Sequence, residues 1–502
     1  MIKKIKPSKI QRKIVNFVKK GINILKIRAF AGTGKTTTLS LIAEALTEAR
    51  IIYFVFNKAN EEEARGKFPR NTQVITLNAW ARTYIKNNTK VNVRKIVGSY
   101  KPFEIAERYS CTFEEALMAS TVFENFCNSD AHTFMELVGN EDSIRIPKLM
   151  FDDMLENRLN CTHSFYFKYY HLLLVHGQVV NRLKYDVAMI DEAQDTNMVT
   201  LDIIMKLTNI ETKIFVGDEH QQIYAFRGSK DVMVKIDAEE FILGETYRYN
   251  KDIANQANNF LHKFKGEKEK IISHIEVTEP ASNEVCYISR TNGKLIELID
   301  DFIKNDIPFR TVKHPDKIFN LSIEVFYLMT LRKEKIKTNY YLNKFKDLEE
   351  LREYAEKIED VELLSAIKIV DKYKNKIFNY KEQAVQYFQS RKQINTYLTN
   401  VHISKGLEWE KVILMDDFKD FLKIVEGTNV KTFSAFRKNI HKADPIKINE
   451  FNLFYVAMTR AKQSLVIESK NGKYLDMLIK DIEIEYTELR SKKKNKKKVA
   501  EA

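Results

Sequence analysis

The chain has 502 residues, more than one ordinary hydrophobic core accommodates, so two to four domains are expected. A hydrophobic content of 44% is that of a soluble globular protein, no apolar run is long enough to span a membrane, and Met1-Ile2-Lys3-Lys4 leads into no signal-peptide core. Net charge is +14, and the body keeps +8 (14 less 6) without the six lysines between Lys492 and Lys498, an excess that favours a polyanionic partner.

Ile24 to Phe30 reads as a strand, followed by a glycine-containing loop and a helix from Thr36 to Arg50 with Leu39, Ile42 and Leu46 on one face. Ile51 to Phe56 reads as the next strand. Strand alternating with helix implies a parallel sheet covered on both faces. That style breaks off between about Ile85 and Leu174, a helical, aromatic-rich stretch read as an insertion. It returns at Val187–Ile190 and Lys213–Val216.

A second α/β region starts near Tyr249, with strands expected at Val285–Ser289, Thr396–His402, Val412–Met415 and Ser464–Ile467. A charged helical stretch from about Val312 to Ile394 reads as a second insertion. The expected division is a first core at 1–84 and 175–248, interrupted by 85–174. A second core at 249–311 and 395–482 is interrupted by 312–394. Residues 483–502 form a basic tail expected to be disordered. Cys111, Cys127, Cys161 and Cys286 lie far apart with no CxxC pair, which argues against zinc and iron–sulfur sites and for a reducing compartment.

Ala29-Phe-Ala-Gly32-Thr-Gly34-Lys35-Thr36 fits a phosphate loop, with Ala29 in place of the first glycine. Gly32 and Gly34 let backbone N–H groups curl around phosphate oxygens. Lys35 would reach the β- and γ-phosphates of ATP, and Thr36 would bind Mg2+. Asp191 and Glu192 follow the apolar strand Val187–Ile190. Two adjacent carboxylates at a strand end can share the work of hydrolysis, with Asp191 the expected magnesium partner and Glu192 the base for the attacking water.

Gly217-Asp218-Glu219-His220-Gln221-Gln222-Ile223-Tyr224-Ala225-Phe226-Arg227-Gly228 follows the strand Lys213–Val216. Tyr224, Phe226 and Arg227 together suit stacking on bases and pairing with phosphates, although Tyr224 and Phe226 read alone would more often be core residues.

The motifs occur in a fixed order. After Ala29–Thr36 come Phe56-Asn57-Lys58-Ala59, Thr76-Leu77-Asn78-Ala79, Asp191–Asp195 and Gly217–Gly228. Then follow Glu245-Thr-Tyr247-Arg248, Val401-His402-Ile-Ser404-Lys405-Gly406-Leu407-Glu408-Trp409, and Tyr455-Val456-Ala-Met-Thr459-Arg460-Ala461. In this the chain resembles superfamily 1A helicases of the UvrD/Rep-like group, from about Gln11 to Ile467. Thr162-His163-Ser-Phe-Tyr166-Phe-Lys168 and Gly217-Asp-Glu-His-Gln-Gln-Ile-Tyr resemble more closely the helicase part of the F-box DNA helicases; nothing here looks like an F-box.

The resemblance implies two RecA-like cores, each with a mostly helical insertion. It implies that Gln11 reads the adenine edge and Tyr247 stacks on its ring, and that Thr33 and Thr37 complete the ATP loop. Gln221 would sense the γ-phosphate, Arg248 and Arg460 would be arginine fingers, and Glu408 would contact the ribose or the attacking-water network. Phe56, Asn57, Tyr224, Phe226 and Arg227 would line a single-strand path, with Thr76 and His402 near the backbone. Asn78 and Asn452 stand where relatives often carry histidine and arginine.

The implied activity is ATP-dependent 3′→5′ movement on single-stranded DNA, in replication, repair or recombination. The alternative is a translocase that strips bound proteins with little unwinding. Implied partners are single-stranded DNA, single-strand/duplex junctions, and single-strand-binding or recombinase proteins. The implied form is a monomer or transient dimer in the cytoplasm at the nucleoid, or in the nucleus of a eukaryote.

Overall fold

Ile51-Ile-Tyr-Phe-Val55 is buried at every position, as befits a strand inside a parallel sheet covered on both faces. The computed structural model describes residues 7–55, 57–179, 185–207, 209–223, 232–390, 392–419, 445–469, 471–472 and 475. The chain divides into two compact units, Met1–Gly244 and Glu245–Ala502.

The strands of unit one are β1 (Ile24–Ala29), β2 (Ile51–Val55), β3 (Thr72–Thr76), β4 (Ile96–Val97), β5 (Cys161–Thr162), β6 (Val187–Ile190), β7 (Thr212–Gly217) and β8 (Glu239–Leu243). Six of them form one sheet in the order β3-β2-β6-β7-β1-β8, parallel throughout. Helix α1 (Lys9–Val18) precedes β1, α2 (Lys35–Ala45) and α3 (Lys58–Arg65) connect β1 to β2 and β2 to β3, and α4 (Leu77–Asn88) follows β3. The insertion adds α5 (Pro102–Tyr109), α6 (Phe113–Asn128), α7 (Phe134–Val138), α8 (Glu141–Leu155) and α9 (His163–Val175), and α10 (Met198–Lys206) follows β6.

Alternation along the strands splits the core. Leu25, Ile27, Tyr53, Met189 and Val216 pack with Ile14, Leu39 and Ile42 of α1 and α2. Ile52, Phe54, Ala188 and Ile190 face the other way, into a core shared with Phe123, Phe126, Phe151 and Phe165 of the insertion. Phe126 stacks on Phe134 at 4.0 Å between centroids, and Phe151 meets Phe165 edge-on at 4.7 Å. The aromatic richness seen in the sequence thus serves to bond the insertion to the sheet.

Unit two contains β9 (Glu245–Asn250), β10 (Ile272–Ile275), β11 (Val285–Ser289), β12 (Arg310–Thr311), β13 (Thr396–Asn400), β14 (Trp409–Leu414) and β15 (Ala461–Ile467). Its main sheet is β12-β13-β11-β14-β15, again parallel, and β9 pairs with β10. Helix α11 (Lys251–Phe260) follows β9 and α12 (Asn292–Lys304) follows β11. Between β12 and β13 lie α13 (Asp316–Met329), α14 (Leu348–Lys357), α15 (Val361–Tyr373) and α16 (Lys376–Gln389). The short α17 (Val401–Ser404) follows β13, and a helix Pro445–Met458 precedes β15. Two parallel-sheet α/β units with helical insertions are the expected fold class.

Several local expectations are corrected. The helix expected from Thr36 to Arg50 ends at Ala45, because Asn71 Nδ2 donates to Ala43 O and Leu46 O and satisfies the terminal carbonyls. The strand expected through His402 stops at Asn400, whose Oδ1 accepts the Ile403 N–H and starts α17. The division between units falls after Gly244, ahead of the expected Arg248, because β9 pairs with β10 of unit two. The basic tail 483–502 lies outside the described residues. Among the described residues no helix is long and apolar enough to cross a membrane, and the four cysteines carry no disulfide.

Candidate functional site

β1 delivers the loop Phe30–Gly34 to the carboxyl edge of the unit-one sheet, and Lys35, Thr36 and Thr37 occupy the first turn of α2. Gly34 has φ +81°, a left-handed conformation that favours glycine, and a Cβ there would sit 3.3 Å from Gln11 Nε2. Thr33 Oγ1 donates to Phe30 O at 2.8 Å and braces the loop. No side chain caps α2 at Gly34, so the first-turn N–H groups and the positive end of the helix suit an anion.

Gln11 is buried against this loop. Its Oε1 accepts the Ser8 N–H at 2.9 Å in a capping box that starts α1, and its Nε2 donates to Thr38 Oγ1 at 3.0 Å. Thr38 Oγ1 in turn donates to Gly34 O at 2.9 Å. Gln11, expected at the adenine edge, also ties α1 to the phosphate loop.

β6 delivers Asp191 and Glu192 to the same edge. Lys35 Nζ lies 3.0 Å from Glu192 Oε2, a charge-assisted contact in a partly buried setting. Glu192 adopts φ +50°, uncommon for a residue with a side chain. Asp191 is buried and accepts from the Tyr53 hydroxyl, and Thr36 lies close enough to the same phenol to offset part of the rise in its pKa. Burial first, then the neighbouring Glu192, push the Asp191 carboxyl up, while Lys35 and Tyr53 oppose the rise. Burial, and next the charge of Asp191, hold the Tyr53 phenol well above its ordinary range, so it stays a donor.

The two residues expected to ligate magnesium, Thr36 and Asp191, are thus both neighbours of one phenol. A hydroxyl and a carboxylate are the hard donors that Mg2+ takes, alongside water and phosphate oxygens. The residues present fit the ion.

From Glu192 the hydrogen bonds run on. Gln194 Nε2 donates to Glu192 Oε2 at 2.5 Å, and Gln194 Oε1 accepts the Asp218 N–H at 2.9 Å. Asp218 Oδ2 accepts from Gln221 Nε2, and Asp218 Oδ1 accepts the His220 N–H at 3.0 Å. The chain of contacts joins Lys35 to Gln221 through partly buried Glu192 and buried Gln194 and Asp218. Gly217 makes room for it: a Cβ there would lie 2.6 Å from Gln194 Oε1.

Asn57 and Thr76 lie at neighbouring strand ends, since β2 and β3 pair with Val55 opposite Thr76. Each caps the next helix: Asn57 Oδ1 accepts the Asn60 N–H at 2.9 Å, and Thr76 Oγ1 the Ala79 N–H at 3.1 Å. Phe56, Tyr224, Phe226 and Arg227, expected to line a strand path, lie outside the described residues.

In unit two, Arg248 Nε lies 2.8 Å from Glu408 Oε2, and Lys462 Nζ lies 3.1 Å from Glu408 Oε1. Burial alone would raise the Glu408 carboxyl, but Arg248, Lys462 and Arg460 together hold it below the usual carboxylate range. Tyr247 stacks on His274 with centroids 4.8 Å apart and stays 60% exposed. His402 sits on α17.

Arg460, the second residue expected as an arginine finger, is buried. Its Nε donates to Val456 O at 2.9 Å and its Nη1 to Leu407 O at 3.3 Å, carbonyls of its own unit. The reason is local: the helix Pro445–Met458 ends just before it, and the guanidinium satisfies a last-turn carbonyl.

Sequence reading gave no role to Tyr53, Gln194 or Asp218. A signal existed for Tyr53: a hydroxyl in an otherwise apolar, fully buried strand must find a partner.

Comparison with known proteins agrees with this layout. The family model of the UvrD/REP helicase N-terminal domain matches residues 140–241, and that of the UvrD-like helicase C-terminal domain matches 316–472. The F-box DNA helicase 1 of Gallus gallus is 28% identical over 93% of this chain and 49% of its own length. The F-box DNA helicase protein 1 of Schizosaccharomyces pombe is 25% identical over 88% of this chain and 55% of its own. A probable DNA helicase II homolog of Mycoplasma capricolum is 29% identical over 26% of this chain and 20% of its own. The chain spans about half the length of the two F-box helicases.

Proposed function

The chain belongs to the UvrD/Rep helicase family, and we propose that it is an ATP-dependent DNA helicase or translocase that moves 3′→5′ on single-stranded DNA. The observation that carries the proposal is the contact of Lys35 with Glu192 beside the buried Asp191, at the edge where the phosphate loop opens. Lys35 holds the β- and γ-phosphates and exchanges its present carboxylate partner for them. Glu192, released from Lys35, orients the attacking water. Thr36 and Asp191 would hold Mg2+, which would neutralise charge on the phosphate oxygens.

Gln221 reports the state of the γ-phosphate, because its amide is joined to Glu192 through Asp218 and Gln194. Arg248 and Arg460 stabilise charge on the transferring phosphoryl group, a role that can contribute roughly 10³–10⁵ in rate. Tyr247 offers its exposed ring to the adenine, Gln11 fixes the phosphate loop through Thr38, and Glu408 sets the position of Arg248. Phe56, Tyr224, Phe226 and Arg227 stack on bases and pair with phosphates along the strand, while Asn57, Thr76 and His402 meet its backbone. Single-strand/duplex junctions are the expected working substrate.

The experiment is ATP turnover with and without single-stranded DNA, with RNA alongside. Strong stimulation by DNA alone is expected; turnover indifferent to nucleic acid would overturn the proposal. Tailed duplexes with 3′ or 5′ overhangs then test the direction, and unwinding from the 5′-tailed substrate alone would reverse it.

A further inference from the structure

From Gly66 to Phe103 the chain carries eight lysines and arginines and no aspartate or glutamate. α4 lies within this stretch and begins where β3 ends, directly after Thr76. Ala79, Arg82, Thr83 and Lys86 fall at the spacing of one helical face. That face borders an open cleft of about 620 Å³, completed by Val93 and Arg94 from the segment after the helix.

Three of the six lining residues are cations and none is acidic. Arg82 is held in place, its Nε and Nη2 both donating to Val93 O at 3.1 and 2.8 Å. The Lys86 and Arg94 side chains make no ion pair or hydrogen bond among the described residues, so their charge is available. The lining also lacks an aromatic ring. Trp80 and Tyr84 of the same helix are engaged elsewhere: Trp80 Nε1 donates to Tyr170 Oη at 3.0 Å, and Tyr84 Oη to Gln178 O at 2.9 Å.

A cleft rich in cations, with no carboxylate to neutralise them and no stacking platform, recognises phosphate charge, not base identity or base faces. We propose that the α4 cleft binds the sugar–phosphate backbone of nucleic acid, through Arg82, Lys86 and Arg94. It extends the contact that begins at Thr76 along the helix. The proposal rests on the DNA-motor reading above and adds three cations, Arg82, Lys86 and Arg94, that none of the ordered motifs contains. Arg82, pre-set by Val93 O, defines the direction of approach, while Lys86 and Arg94 supply point charges. The shared ligand chemistry is a phosphodiester chain, and it can come from the tracked single strand or from the duplex arm of a junction.

The test is the Lys86→Ala/Arg94→Ala double variant. Neither side chain holds another part of the fold by an ion pair or hydrogen bond among the described residues, and neither belongs to the nucleotide site. Thermal melting and DNA-free ATP turnover should therefore match the parent. Binding of a fluorescent single-stranded oligonucleotide and of a tailed duplex is titrated across a salt series. Each lost phosphate contact lowers the salt slope by roughly one, so a fall of about two is expected for the double variant. A fall on both substrates places the single strand in the cleft; a fall on the tailed duplex alone places the duplex arm there. Unchanged slopes on both overturn the proposal, and if DNA still stimulates parental turnover the motor reading survives. Parental turnover indifferent to DNA overturns the motor reading itself.

Discussion

The Tyr53 hydroxyl donates to Asp191 Oδ2, a contact between a buried β2 phenol and the buried carboxylate that ends β6. Thr36 neighbours the same phenol, so Tyr53 stands beside both residues expected to face magnesium. Tyr53→Phe keeps the ring and removes the donor. Leaving a buried acceptor without its partner costs about 1–3 kcal/mol, and losing an outer partner of a metal ligand lowers metal affinity roughly 10–100-fold. Thermal melts and the Mg2+ dependence of mant-ADP binding measure the two effects. An unchanged Mg2+ requirement would reduce Tyr53 to packing.

Lys35→Ala removes the group that meets Glu192 at 3.0 Å. Turnover should fall by at least roughly 10²–10³, the cost of deleting one donor to a charged transition state. Single-strand binding should persist, since the lysine belongs to the nucleotide loop. Loss of both activities with a lowered melting temperature would mean a damaged fold.

Gly217→Ala tests the route from Glu192 to Gln221. The added methyl would meet Gln194 Oε1 at 2.6 Å and the Gln194 backbone N at 3.0 Å, and backbone does not yield cheaply. Overpacking of this kind costs about 1–3 kcal/mol. Urea unfolding reads the cost, and the ratio of DNA-stimulated to basal turnover should fall as well. A silent variant would show that Gln194 can move freely.

Arg248→Ala separates stability from catalysis. Its ion pair with Glu408 is partly exposed, and such pairs contribute about 0–1 kcal/mol, so melting should scarcely change. Turnover should drop by roughly 10³ or more if the guanidinium serves the phosphoryl group. Equal turnover in parent and variant would leave Arg248 a structural partner of Glu408.

His171 predicts a pH dependence. It is fully buried on α9, with Nε2 at 2.7 Å from Asp202 Oδ2 and Nδ1 at 3.3 Å from Lys168 Nζ. Burial and then Lys168 push its pKa down to about 4, against the pull of Asp202. The unfolded chain takes up the proton near pH about 6.5, the folded chain only near 4. This contribution to stability is therefore complete above about 6.5 and lost as pH falls toward 4. Melting temperature measured across that window should fall less steeply in His171→Gln than in the parent.

How far the sequence could be read depended on what each signal encodes. Val187–Ile190 and Ile51–Val55 announced themselves because strands buried on both faces are apolar at every position. β3 and β8 did not, because they lie at the two edges of the sheet, and their half-exposed patterns resemble loops. Lys35, Asp191 and Glu192 were legible from loop glycines and strand context. The engagement of Arg460 with Val456 O was not, since a motif fixes a position and says nothing of which carbonyl captures the side chain. Gln194 carried no periodicity at all; its role exists only because β7 lies beside β6 and brings Gly217 against it.

Glu192 stands at φ +50°, where a glycine would sit without strain and a glutamate costs about 1–3 kcal/mol. Glu192→Gly would shed that strain but strip the partner from Lys35 and from buried Gln194, so it should gain little stability and hydrolyse nothing. A library sorted for turnover would therefore keep glutamate at this codon in spite of its backbone.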